Sequence, residues 1–289
     1  MKTLTVSIVL PVYNEEKAIG KVIDDIHYAL KQSHWDYEIL VVDDHSSDAS
    51  AEIARGKHAR VIQRTFQGGS GASRRTGIQN AKGEIIVMLD ADGSYEASDI
   101  PKMLEYFPEY DQVNGARTSE QGTFKILRAP TKWFIRQFAC YLTKTNIPDL
   151  NTGLKAFKKD IMMKYLWVLP NGFSCVTTMT LAFLANDYAV KYVPTTYHKR
   201  IGKSKFHPVK DTLSYLNTIV RMTMYFKPLR VFMPLAGIIF LLGVIKAIES
   251  FIFTKSMQES DIIIFLVAIM LGALGLIADL IVTYHSRED

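Results

Sequence analysis

Two apolar runs near the C-terminus constrain this chain more than any other feature. LRVFMPLAGIIFLLGVIKAIESFIF and DIIIFLVAIMLGALGLIADLIVTYH, about residues 229–253 and 261–284, each hold roughly 25 residues. A helix rising 1.5 Å per residue crosses a hydrocarbon core about 30 Å thick with about 20 residues. Runs this long and this apolar are rare in a soluble core. In tandem, joined by the short polar TKSMQES, they predict two membrane spans. Arg221, Lys227 and Arg230 precede the first run, whereas the connection carries Lys255 balanced by Glu259 and Asp261. The positive-inside rule then places both termini in the cytoplasm and the connection outside. Lys246 and Glu249, three residues apart, share a helix face and can neutralise each other. Asp279 falls near the cytoplasmic surface, and all three ionisable residues read as structural or snorkelling groups.

The rest of the 289 residues suffice for one large domain. Between it and the spans lies HPVKDTLSYLNTIVRMTMYFKP, where Leu213, Leu216, Met224 and Tyr225 recur at helical spacing opposite Lys210, Asp211, Asn217 and Arg221. That pattern fits a helix lying in the membrane interface, or one packed on the domain. The expected division is 1–206, a cytoplasmic domain; 207–227, the amphipathic segment; and 228–289, the spans and tail. A net charge of +5 suits nucleic acid, an anionic membrane or a phosphorylated substrate. The basic residues crowd next to the spans rather than along an aromatic-studded groove, which argues against nucleic acid. Cys140 and Cys175 have neither the number nor the spacing of a disulfide framework or zinc site and are expected as buried thiols. The N-terminus lacks a signal-peptide pattern, because Pro11 and Asn14-Glu15-Glu16 break its apolar run.

Within the domain, apolar strands alternate with helical patterns. TLTVSIVLPV is β-rich; NEEKAIGKVIDDIHYALKQS places Ala18, Val22 and Ile26 on one helical face; YEILVVDDHSSDAS repeats the design, with Ser46, Ser47 and Asp48 as helix-capping candidates. RVIQRT, the Gly-led SGASRRTGIQNAKG and EIIVMLDAD continue the series. This order predicts an α/β domain built on a parallel sheet covered on both faces. Ligands of such sheets bind beyond the carboxyl ends of the strands, where Pro11-Tyr13-Glu15, Asp43-Asp44 and Asp90-Asp92 all fall. Residues 100–205 show less regularity.

Asp90 and Asp92 close a buried strand with two like charges, projected together by the period of an extended chain. A solvated acidic turn at Gly93 would tolerate this, and so would a cation. A divalent ion between Asp92 and a diphosphate would remove the repulsion and stabilise a leaving nucleoside diphosphate. Hard oxygen ligands without a His or Cys cluster favour Mg²⁺ or Mn²⁺. Together with the second acidic strand end, the Gly-led helix and the spans, this suits a sugar-nucleotide enzyme.

The blocks VLPVYNEE, YEILVVDDHSSD, GGSGASRRTGIQNAKGEIIVMLDADGS, DLNTGLKAFKKD and HKRIGKSKF stand in the order seen in glycosyltransferase family 2. More narrowly, the chain resembles the polyprenyl-phosphate glycosyltransferases, over residues 3 to about 207 and the two-span tail. The resemblance implies a GT-A, Rossmann-like catalytic domain that inverts the anomeric centre as it moves a sugar from a UDP- or GDP-sugar to a polyprenyl phosphate. Carried over by position, Pro11, Tyr13, Glu15, Val42 and Asp44 hold the base and ribose. Asp90, Ala91 and Asp92 hold the sugar diphosphate and metal, and Ser94 stands where some relatives carry a glutamine ligand. Arg117 matches a family arginine and Lys205 a family lysine. The place of a third basic residue is Lys199, with Arg200 beside it, leaving open which one meets diphosphate. Arg128, Arg136, Lys155 and Lys203 are candidates for the acceptor phosphate. Asp149 and Thr152-Gly153 are expected to line the site, and Ser70, Arg74 and Arg75 either meet phosphate or cap a helix. The resemblance leaves the homo-oligomeric state open. Two rival readings are a transferase acting on a diacylglycerol-type lipid or polysaccharide, and a catalytically silent membrane scaffold. Processive synthases carry a Q-x-x-R-W element not visible here, and the intact D-x-D argues against the scaffold.

Overall fold

The computed structural model describes residues 5–31, 33–118, 133, 136–172, 174–201, 217–218 and 220–285. It separates into two compact units, Met1–Ile219 and Val220–Asp289. The first is built on a seven-stranded sheet. Its strands are β1 (Thr5–Val12), β2 (Asp36–Asp43), β3 (Arg60–Gln63), β4 (Ile85–Met88), β5 (Gln112–Arg117), β6 (Lys155–Lys158) and β7 (Val190–Thr195), in the spatial order β3-β2-β1-β4-β6-β5-β7.

Strand β1 shows why the sheet is buried on both faces. Ile8, Leu10 and Val12 point into one apolar cluster with Ile19, Ile23 and Ile26 of the helix Ile19–Leu30. Val9 points the other way, joining Leu40, Ile78, Ile86, Met88, Phe157 and Phe183. Period-two alternation thus feeds two cores, and each fully buried Ile or Leu contributes about 1.5–3 kcal/mol of transfer free energy. The helix expected from the Gly-led segment is Ser70–Asn80, and it packs on the second face. Asp48 accepts from both the N–H (3.0 Å) and the hydroxyl (2.5 Å) of Ser50 at the start of Ser50–Gly56, while Ser46 Oγ instead accepts from Asn14 N–H at 2.9 Å.

The sheet is not wholly parallel. β1 pairs in parallel with β2 and β4, and β2 with β3, but β6 runs antiparallel to both β4 and β5. β6 lies in the stretch with little periodicity; its four residues, Lys-Ala-Phe-Lys, are too few and too mixed to mark a strand or its direction. The two cysteines are free thiols: Cys175 is buried and Cys140 half-buried.

The second unit is the expected pair of helices, Leu229–Thr254 and Glu259–His285, both long and apolar enough to cross a membrane. They pack on each other where Gly243 meets Ile264 and Phe265, and where the rings of Phe240 and Phe265 stand 5.2 Å apart. Ile238, Leu241, Ile252, Ile269 and Leu280 remain mostly exposed, an apolar surface far larger than water tolerates. Lys246 and Glu249 pair at 3.2 Å as their spacing predicts, and buried Asp261 accepts from Ser250 Oγ at 3.1 Å. Most of the expected amphipathic segment 207–227 lies outside the described residues; 217–218 and 220–226 are helical.

Candidate active site

Strand register aligns the carboxyl ends of β1 and β2, with Pro11 opposite Val42 and Val12 opposite Asp43. Beyond them, the N–H groups of Asn14 and Glu15 donate to Ser46 Oγ (2.9 Å) and Ser50 Oγ (2.8 Å), locking the two loops together. Pro11, Tyr13 and Glu15 are half-buried at this edge. The side chains of Val42 and Ala91 are buried in the two cores, so these positions present backbone to the edge rather than side chain.

Asp44 ties the end of β2 to the turn before helix Ser70–Asn80. Its carboxylate accepts from the N–H groups of Gly68 and Gly69 at 3.0 and 2.7 Å and pairs with Arg64 at 2.9 Å. It therefore organises the turn that starts helix Ser70–Asn80. Gly69 adopts φ +90, which a side chain would strain, and Gly71 N–H donates to Asn171 O at 2.7 Å. Asp43 next to it is fully buried; Ser46 N–H reaches its Oδ2 at 3.3 Å, and its Oδ1 has no partner among the described residues.

The D-x-D turn follows β4. Gly93 takes φ +71, and the Ser94 N–H and hydroxyl donate to Asp92 Oδ1 at 3.1 and 2.5 Å. Ser94 is fully buried, and these two bonds orient the Asp92 carboxylate. The segment after β7 lies along this turn: His198 N–H donates to Ser94 O at 2.8 Å, and Ile201 N–H to Asp92 O at 2.9 Å. This pairing sets the alternation of side chains. Arg200 Nη1 comes 3.6 Å from Asp92 Oδ2, while Lys199 is exposed. Of the two adjacent bases, Arg200 is the one brought to the acids.

Asp90 meets Arg74, whose Nη2 lies 2.5 Å from its Oδ1. Burial pushes the Asp90 carboxyl upward, Arg74 pulls it back, and the Asp92 charge adds to the rise. On the other side, a Cβ built at Gly153 would sit 2.1 Å from Asp90 Oδ2, so the backbone there packs directly against the carboxylate. Gly153 N–H donates to Tyr95 Oη at 2.7 Å, and Thr152 Oγ1 lies 3.4 Å from the same oxygen. Burial raises the Tyr95 phenol pKa, keeping it neutral.

Arg117, at the end of β5, donates through Nε and Nη2 to Asp149 at 2.6 and 2.9 Å, with its guanidinium 5.2 Å from the Tyr197 ring centroid. Burial pushes Asp149 upward, but the Arg117 hydrogen bonds and charge outweigh it and hold the carboxyl below the usual range. The 149–153 loop thus touches both the D-x-D turn and Arg117.

Lys155, expected at the acceptor phosphate, is fully buried; its Nζ donates to Thr180 Oγ1 at 2.7 Å and Asn114 Oδ1 at 3.3 Å. Its strand runs between β4 and β5, where no solvent reaches, and burial brings its pKa down to about 7. Arg136 is half-buried in the helical stretch 136–143. Arg128, Lys203 and Lys205 lie outside the described residues. Arg75 bonds Asn171 Oδ1, and Ser70 Oγ is buried without a partner among the described residues.

Sequence reasoning missed Tyr95, Tyr197 and the particular partner of Arg74. For Arg74 a signal existed: helical spacing puts it on the face of Gly71, Gly77 and Ile78, the buried side of its helix. Among the described residues, no three His, Cys, Asp or Glu side chains form a ready metal cage. Asp92, with Oδ1 held by Ser94 and Oδ2 turned toward a guanidinium too far for a short bond, fits a hard dication whose remaining ligands are diphosphate and water.

The description "Glycosyl transferase family 2" matches residues 7–166, and "GtrB C-terminal hairpin" matches 227–283. A dolichyl-phosphate hexose transferase of Haloferax volcanii is 28% identical over 218 residues, 75% of this chain and 92% of the relative. An undecaprenyl-phosphate 4-deoxy-4-formamido-L-arabinose transferase of Pectobacterium carotovorum is 28% identical over 261 residues, covering 84% and 74%. Among solved structures, glucosyl-3-phosphoglycerate synthase from Mycobacterium tuberculosis, in complex with Mn²⁺, UDP and glucosyl-3-phosphoglycerate, superposes with a TM-score of 0.61. That match covers 76% of this chain and 80% of the other at 20% identity, and it shows the GT-A-like fold.

Proposed function

The chain belongs to glycosyl transferase family 2, and from that premise we propose that it moves a sugar from a nucleoside diphosphate to a polyprenyl phosphate at the membrane. The observation that carries this reading is the meeting of Asp92 and Arg200 at the carboxyl edge of the sheet, in a chain whose tail matches a hairpin family. The acceptor class is supported by the names of the relatives, and uridine as the first donor base to try by the UDP held in the solved neighbour.

A lipid phosphate is already largely anionic near pH 7, given a second pKa near 6. Its oxygen can attack the anomeric carbon without a strong general base, and direct displacement inverts that centre. The work left to the protein is to hold two anions together. Arg200 stands where it can pass from Asp92 to a donor diphosphate, and Arg117, its guanidinium plane fixed by Asp149, adds positive charge to the same edge. Lys205, Lys203, Arg128 and Arg136 are the further cations proposed for diphosphate and acceptor. Pro11, Tyr13 and Glu15 would receive the nucleoside at the β1 edge. Mg²⁺ or Mn²⁺ held on Asp92 would supply charge to the leaving diphosphate. The hairpin would anchor the domain with both termini in the cytoplasm, on the evidence of the basic residues before the first span.

The test incubates membranes containing the full chain with polyprenyl phosphate and labelled UDP- and GDP-sugars. One labelled, alkali-stable lipid is expected from the wild type and none from Asp92→Ala; EDTA should abolish its formation and Mg²⁺ or Mn²⁺ restore it. Label appearing in diacylglycerol lipids or in polymer would overturn the acceptor assignment.

A further inference from the structure

Arg74 is the one charged group on the buried face of its helix, 4% exposed, and its guanidinium lies against the first acid of the D-x-D turn. A buried guanidinium is strongly unfavourable unless a carboxylate faces it. The carboxylate it faces belongs to the site itself. Asp90 keeps a third of its side chain open but is flanked on two sides: Oδ1 lies 2.5 Å from Arg74, and the Gly153 backbone packs beside Oδ2, where a Cβ would come within 2.1 Å. Asp92 is held differently. Its guanidinium partner, Arg200, stands back at 3.6 Å and is 38% exposed.

We infer that Arg74 is a resident counter-cation and positioning residue for Asp90: it occupies the place a metal would take on that carboxylate, so that a divalent ion binds through Asp92, and the Asp90–Arg74 pair acts as a neutral floor beneath it. This rests on the reading of the site as a metal–nucleoside-diphosphate site. Two consequences distinguish it from a merely structural role. Neutralising Asp90 alone leaves Arg74 as an unbalanced positive charge beside the dication, which must weaken metal binding. Neutralising both partners removes that charge and should bring the affinity back, whereas a ligating Asp90 would leave the metal short of a charged oxygen in both variants.

The experiment uses the purified full chain in detergent and measures Mn²⁺ affinity at saturating UDP from the free-Mn²⁺ electron paramagnetic resonance signal. Wild type, Asp90→Asn, Arg74→Lys and the double variant Arg74→Met/Asp90→Asn are compared. Asp90→Asn should weaken Mn²⁺ binding about tenfold or more. The double variant should return to within about threefold of wild type, and Arg74→Lys, which keeps the charge, should match wild type to the same margin. A double variant that binds as weakly as Asp90→Asn overturns the inference and makes Asp90 a direct ligand. Absence of Mn²⁺ binding to the wild type overturns the metal reading and this inference with it, so the two failures are told apart. The double variant replaces a buried ion pair by neutral groups of similar volume, a change such pairs commonly tolerate.

Discussion

Arg117 grips Asp149 with two hydrogen bonds, Nε to Oδ2 at 2.6 Å and Nη2 to Oδ1 at 2.9 Å, tying the end of β5 to the loop that precedes β6. Both side chains are largely buried, and the fork geometry fixes the guanidinium plane. Asp149→Asn keeps the volume but loses the charge and one acceptor. It should destabilise the fold by about 3 kcal/mol and lower kcat/KM for the donor at least tenfold. Because Asp149 is depressed in the folded state, its stabilisation is present above the unfolded carboxylate pKa and fades as pH falls through the lower folded value. Acid melting curves of wild type and Asp149→Asn should therefore converge at low pH.

With Arg74 paired to Asp90, Asp92 is the acid proposed to hold the metal. Asp92→Asn should cost about a hundredfold or more in transfer rate, measured as labelled lipid formed, with the melting temperature little changed. Ser94→Ala removes the 2.5 Å hydrogen bond to Asp92 and should raise the metal concentration needed for half-maximal rate several-fold.

At Gly153 even one methyl group is too many. The Cβ of Gly153→Ala would fall 2.1 Å from Asp90 Oδ2, so the carboxylate or the loop must move. A misplacement of about 1 Å in an active site can cost on the order of 10² in rate. Steady-state transfer should fall accordingly while circular dichroism stays that of the wild type; an active Gly153→Ala would show that Asp90 need not sit where it does.

Lys155 makes stability depend on pH in the basic range. Its folded pKa, about 7, lies below the ordinary lysine value because the amine is buried. Between the two values the unfolded chain binds more protons than the folded one, so stability rises as pH increases from about 7 toward 10. Below about 7 both states carry the charge and this contribution is flat at its least favourable. Thermal melting of the solubilised chain across that range should show the rise, and Lys155→Met should flatten it.

Much of this protein was written in local sequence. Ile8 and Val9 declare by alternation that β1 has two covered faces; the two 25-residue runs declare the hairpin; and the acids at 44, 90 and 92 sit at strand ends because apolar residues stop there. What one-dimensional patterns cannot carry is pairing across the fold. Nothing near Arg74 announces Asp90, nothing near Lys155 announces that β6 slots between β4 and β5, and the preference for Arg200 over Lys199 follows from where Ile201 N–H finds Asp92 O. Burial and periodicity are properties of neighbours along the chain, so sequence determined the first four strands, the hairpin and the edge where those strands end, but not β5 to β7. Charge partners and the direction of a central strand come from contacts between distant segments, and only the tertiary structure decided those.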